Sequence, residues 1–354
     1  MQTQRKIFNQ QIGFKKTDRK FFMPHWFHPS TLERWRREGL PRDAEVNSFF
    51  GFDRYDTVPV DVYLRPRSYT IIEERDGWEL RLWDLGFKER IFKEQMGMSE
   101  WDYALKGPAD WPKFKACLNP DMPLRYPHDW DNLTAQWKSR DYPLAFNLGG
   151  FYGNIRDWMG PEGISLMYFD NPGFMHEMTE YLLTFFMKTI DKALNEVDID
   201  VVCFPEDMAF KTGPLISPAI FREFILPRYK IITAYLRSKG IKTILIDCDG
   251  NLDLLIPLFL EAGANGVIPL EIAAGSDPVR YQRQYGERVI LMGGVDKRQL
   301  SRDRASIDRE LDRIAPAVEA GGYIPFVDHH VPTDVSFDNF CYYIEKLKKM
   351  LGVK

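Results

Sequence analysis

Thr243-Ile244-Leu245-Ile246-Asp247-Cys248-Asp249-Gly250-Asn251 is the stretch on which the fold turns. A short apolar run reads as a strand, and the acids and Gly-Asn that follow mark its end. Working outward, residues 143–146, 201–204, 266–270, 289–292 and 323–327 are further short apolar runs, separated by longer amphipathic segments. That alternation is the pattern of βα units around a parallel sheet. These six, a strand near 59–63 and one more before residue 130 make up the eight of an α/β protein of the (β/α)8 TIM-barrel class. An open Rossmann sheet is the rival, but Gly149-Gly150-Phe151-Tyr152-Gly153 only loosely approximates its glycine fingerprint. Between strands, 218–239 reads as a helix, with Ser217 as N-cap, Pro218 at its first position and Pro227 as a kink.

A single domain over residues 1–354 is expected, since barrels reach this length around one core. Residues 1–44 read as an aromatic N-terminal arm covering the barrel, with a helix starting near Pro29 and Ser30 and Glu33 at the spacing of a capping box. Asp76-Gly77, flanked by 68–75 and 78–83, predicts a β-hairpin, placed as an insertion over 66–86. Residues 101–126 hold one short helix at most. Hydrophobic residues at 44% and charged residues at 28% exclude disorder. A net charge of −4 argues against nucleic acid as a partner. No apolar stretch has the roughly 20 residues of a membrane helix, and the first residues lack a signal segment, so a cytoplasmic protein without membrane contact is expected. Four scattered cysteines fit a reducing compartment.

What ends each strand is the functional signal. Asn147, Glu206-Asp207, Asp247-Cys248-Asp249, Glu271, Asp296-Lys297 and Asp328-His329-His330 each follow an apolar run. In a barrel those positions converge on one mouth, where such enzymes do chemistry. A single acid after a strand is ordinarily the N-cap of the next helix. A series of them in one concave mouth repels itself unless a cation or substrate rewards it. Side chains alternate along a strand, so Asp247 and Asp249 point one way and Cys248 the other. Of the last pair, His329 is read as facing inward and His330 as lying at the rim. His25 and His28 of the arm read as core or capping residues.

The order of motifs resembles the uroporphyrinogen decarboxylase superfamily. The resemblance rests on YPLAFNLGGFYGNIRDWMG (142–160), FPEDMAFKTGPLISPAIFREFILPRYK from Phe204, IDCDGN from Ile246, VILMGGVDK from Val289 and GGYIPFVDHHVP from Gly321. It implies a (β/α)8 barrel. The Arg-bearing M-R-Q-A-G-R string and the F-S-D aspartate that mark the true decarboxylase do not occur here. The chain is nearer the corrinoid-linked methyltransferase branch, whose H-x-C-G-N motif and later Cys bind zinc. Aligned on Gly250-Asn251, Asp247 stands at the His position, Asp249 at the Cys position and His329 at the later Cys. The implied ligand set is oxygen and nitrogen, compatible with zinc and less selective than a thiolate site.

From this follows an expected mechanism. A divalent metal, zinc first among the candidates, is held by Glu206, Asp249 and His329 and polarises a methylated substrate. Asp247, Asp207 and Glu271 manage protons or orient ligands, and Lys297 or Lys211 balances charge. Asn147, Phe151, Tyr152, Trp158, Lys211 and His330 contact a small O-methyl aromatic or N-methyl compound. The methyl passes to a corrinoid (cobalamin) on a partner protein, because no D-x-H-x-x-G motif is present to hold one. A homodimer is compatible with the sequence. The alternatives are a metal-independent decarboxylase and a non-catalytic ligand-binding barrel.

Overall fold

The apolar runs become strands because β-branched and aromatic side chains pack well on both faces of a pleated ribbon. In the computed structural model, which describes residues 2–64, 68–92 and 99–354, the chain first forms β1 (Asp56–Thr57). Then come β2 (Tyr69–Arg75), β3 (Trp78–Trp83), β4 (Lys88–Phe92) and β5 (Ser99–Asp102). After them follow β6 (Leu144–Asn147), β7 (Val201–Pro205), the short pair β8 (Ala209–Phe210) and β9 (Gly213–Pro214), β10 (Thr243–Asp247), β11 (Gly266–Ile268), β12 (Ile290–Met292) and β13 (Tyr323–Ile324). Seven of these make one curled, all-parallel sheet in the order β1-β6-β7-β10-β11-β12-β13. Helices such as Pro172–Glu196 and Arg304–Ala320 connect its strands.

The sheet separates two apolar cores, as its alternation requires. On one face Ala145, Val201, Cys203, Leu245, Ile268, Ile290, Met292 and Ile324 form an inner core. On the other, Leu144, Phe146, Val202, Phe204, Ile244, Ile246 and Leu291 pack with the helices. The arm completes the inner core. Ile7, Phe8 and Ile12 of the helix Gln4–Ile12 join it, together with Phe21 and Met23. From Phe21 the arm runs extended between the sheet's two edges. Phe22 O accepts from Asp53 N just before β1, and Trp26 O accepts from Val331 N beyond β13.

Several expectations change. The first parallel strand lies at Asp56–Thr57 rather than near 59–63: Val58 N still donates to Ala145 O, but Pro59 has no N–H with which to extend the ladder. The Asp76-Gly77 hairpin forms, as β2 and β3, but as half of a four-stranded antiparallel sheet reaching Asp102, longer than the 66–86 insertion expected. Residues 66 and 67 of that range lie outside the described residues. The arm helix does begin at Pro29, yet its N-cap is His28 and Ser30 Oγ pairs with the His28 ring, so no capping box forms. Ser217 caps as expected, accepting from Ile220 N, and ahead of Pro227 the helix widens to a π turn over Phe221–Ile225. Pro227 cannot donate, and the wider turn accommodates it.

Candidate active site at the strand ends

Alternation decides which strand-end residues meet. Leu245 faces the inner core, so Asp247 faces the same side, while Cys248 is fully buried among the helices. Cys203 faces inward too, and so Asp207 belongs to the inner side and Glu206 to the helix side. Asp247 is the centre of the resulting group. Burial, reinforced by the negative charges of Asp207 and Asp249, pushes its carboxyl up to about 7, against a small opposing pull from His329. Asp249 Oδ2 lies 3.5 Å from His329 Nε2. The hydrogen bond from that pair holds the imidazole above its ordinary value in spite of partial burial. His330 stacks edge-on against His329, its Nδ1 3.3 Å from that of its neighbour, and burial lowers it. Trp26 of the arm packs against both rings, with centroids 6.4 and 5.9 Å away.

Asp207 is held at φ 41°, a left-handed conformation uncommon for a side-chain-bearing residue. Arg156 fixes it, donating to the Asp207 carbonyl at 2.8 Å and to its carboxylate at 3.3 Å. Neither Arg156 nor its role was visible in the sequence, because it sits one turn into the helix Gly153–Asp170 rather than at a strand end. A second charged group adjoins the first. Lys297 Nζ lies 3.7 Å from Glu271 and 4.0 Å from Asp328, and Glu271 Oε2 accepts from Gly250 N at 3.0 Å. Asp328, fully buried, takes the amides of Ile272 and Lys297, and burial still raises it to about 6. Sequence reasoning passed over Asp328 for its histidine neighbours, although alternation from Ile324 and Phe326, both in the inner core, points to it.

Glu206 is not a metal ligand in this arrangement. It is wholly buried, and its two oxygens accept the amides of Phe151, Tyr152 and Gly153 at 2.7–2.8 Å and the hydroxyl of Tyr229. Burial raises it to about 7 against those four donors. Two glycines of the loop answer to this contact: a Cβ on Gly150 would stand 2.1 Å from Pro205 O, and one on Gly153 2.5 Å from it. Phe151 and Tyr152 are fully buried with it, Phe151 against Phe186 and Tyr229, so neither offers a face to a substrate. Lys211 is exposed at the turn between β8 and β9 and pairs with no carboxylate among the described residues. Asn147 is exposed at the end of β6, on the side of Ala145. Trp158 packs on Trp111 and Phe114 and also reaches a neighbouring cavity. Asp296 is the helix cap that a strand-end acid ordinarily is, accepting from Arg298 N. His25 is a core residue, bonded to Met23 O and the Tyr343 hydroxyl and driven down to about 3 by burial.

Among the described residues no three His, Cys, Asp or Glu side chains are gathered as a metal site. Asp249 and His329 supply two donors, and the expected third, Glu206, is spent on amides.

Fold and site together define a parallel α/β protein with an acid–base group at the C-terminal ends of its strands. The chain belongs to the uroporphyrinogen decarboxylase (URO-D) family, whose model matches residues 136–350. Its fold is similar to that of a methyltransferase from Methanosarcina mazei, with a TM-score of 0.60 over 98% of this chain and 100% of that one, at 15% identity. No curated protein matches the chain in sequence. No helix among the described residues is long and apolar enough to cross a membrane.

Proposed function

We propose that the chain is a methyltransferase that demethylates a small O-methyl or N-methyl compound, with Asp247 as the general acid. The observation that carries this reading is a buried carboxyl near pKa 7 on the inner side of the strand ends, within the fields of Asp207, Asp249 and His329. As the methyl leaves for a nucleophilic acceptor, the electron pair of its broken C–O or C–N bond stays on the departing atom, which takes the Asp247 proton. The acceptor's own electron pair makes the new bond to carbon, and solvent reprotonates Asp247. His329, whose pairing with Asp249 favours its charged form, shields the carboxylate that forms, and Lys297 offers a second positive group to the substrate. The acceptor in this reading is a corrinoid on a partner protein, treated as a second substrate. The expected ligand trio does not fit a divalent ion, since Glu206 is withdrawn, and no step is routed through a metal. The sheet, with the arm segment 21–28 as its eighth stave, is read as a closed (β/α)8 barrel in the cytoplasm.

The test is turnover. With methyl ethers and methylamines as donors and a reduced corrinoid as acceptor, methylated acceptor should form, and Asp247→Asn should slow it by about 10²–10⁴, the usual contribution of a positioned acid. Unchanged turnover in that variant would remove Asp247 from the chemistry. A second reading, decarboxylation, has one observation in its favour: the same proton could quench the carbanion left when a C–C bond breaks and carbon dioxide departs. Gas release without methyl transfer would select it.

A further inference from the structure

The helix Gln4–Ile12 and the N-terminal ends of β7, β10, β11 and β12 border a cavity of about 760 Å³, at the end of the parallel sheet opposite the acid group. That size lies within the roughly 300–1,000 Å³ of small-molecule sites. Its described wall carries four cations, Arg5, Lys6, Lys15 and Lys242, against two carboxylates, Asp198 and Asp200. Arginine already holds both carboxylates. Asp200, buried, accepts from Arg5 Nε at 2.8 Å, Arg140 Nη2 at 3.0 Å, Asn9 Nδ2 at 2.7 Å and the amide of Leu144 at 3.0 Å. Asp198 accepts from the far end of Arg5. The three lysines are left over: each is exposed, and none pairs with a carboxylate among the described residues. The residues outside that set contain a single acid, Glu94, too few to cancel the excess.

The wall is also held in place. Arg5 N donates to Asp141 O at 2.6 Å, and the Gln11 amide bridges Tyr323 O and Phe21 N, both at 2.6 Å, so the helix is fixed against the sheet. Gln10, in the same wall, keeps its side-chain oxygen buried with no donor among the described residues. A buried acceptor without a partner is costly, and a hydroxyl of a bound compound would supply one. Ammonium groups around one space repel one another unless they share an anion, and lysines bind phosphate groups as point charges. A diphosphate matches in charge the number of free ammoniums.

We infer that this cavity binds a diphosphate ester with a hydroxyl-bearing body, at a site remote from the strand-end chemistry and independent of the transfer reading. Calorimetry on the intact protein compares ADP with AMP and with inorganic pyrophosphate. ADP should bind saturably and about tenfold or more tighter than AMP, the scale of one hydrogen bond to a charged group. Combining Lys15→Gln with Lys242→Gln, both at exposed unpaired positions and with the fold verified by circular dichroism, should weaken ADP and pyrophosphate by a similar factor or more. Lys16→Gln, exposed but outside the wall, should leave both affinities unchanged. Gln10→Leu should weaken ADP and spare pyrophosphate. No binding of ADP, equal binding of AMP, or affinity untouched in the double variant each overturns the assignment. An equal loss in Lys16→Gln overturns it too, because attraction would then be spread over the surface. ADP affinity unchanged in Gln10→Leu would strike the hydroxyl-bearing body from it.

Discussion

Glu206 and Asp247 lie on adjacent strands and share a similar ionisation range, yet they serve opposite ends. Four donors converge on Glu206, so it locks the Gly149–Gly153 loop onto β7. Replacing it by Ala strands three buried amides, each of which costs about 1–3 kcal/mol when left unpaired and without water. Glu206→Ala should therefore lower the urea midpoint sharply, and activity only through the fraction folded; a midpoint within error of the parent would return Glu206 to the list of reactive groups. Asp247 does the reverse. A carboxyl whose folded pKa is raised binds its proton more tightly in the native state, so stability falls as pH rises from about 4 to about 7 and is level above. Asp328 and Glu206 add to that slope in the same direction. Asp247→Asn should flatten it and gain stability at pH 8 by a few kcal/mol, since a tenfold change in an acid constant is about 1.4 kcal/mol. Thermal melts across pH 4–8 give the answer, and an unchanged slope would place the Asp247 carboxyl in water.

At the scale of elements, the strands of the parallel sheet after residue 140 and the Asp76-Gly77 hairpin were legible, because short apolar runs and a two-residue turn are local signals. The edges were not. β1 has only two residues, β4 and β5 carry mixed polar and apolar side chains, and the helix Gln4–Ile12 has too polar a sequence to announce itself. Much of the strand-end group was also legible. Asp207, Asp247, Asp249, Glu271, Lys297, His329 and His330 came from position after a strand. Glu206 was misread because the alternation applied to Asp247 was not carried to β7, and Arg156 had no local signal at all. The N-terminal helix has a consequence of its own. Phe8 is fully buried against Phe21 and Tyr55, with centroids 5.1 and 5.7 Å away, inside the sheet's inner core. Phe8→Ala should cost about 3–5 kcal/mol; a loss below about 1 kcal/mol would mean that the arm only rests on the surface.

For the whole molecule, the inner core and the charged site share one face of one sheet. Apolar residues fill that face up to Leu245 and Cys203, and the acids begin where the strands end. Water is thus kept from one side of Asp247, which raises it, while Asp207 and Asp249 prevent it from relaxing by ionisation. The most direct measurement is a site-resolved NMR titration of the Asp247 side-chain carboxyl in the intact protein. The account predicts a midpoint near 7, moving down when Asp207 or Asp249 is replaced by Asn. A midpoint near 4, indifferent to either replacement, would contradict it.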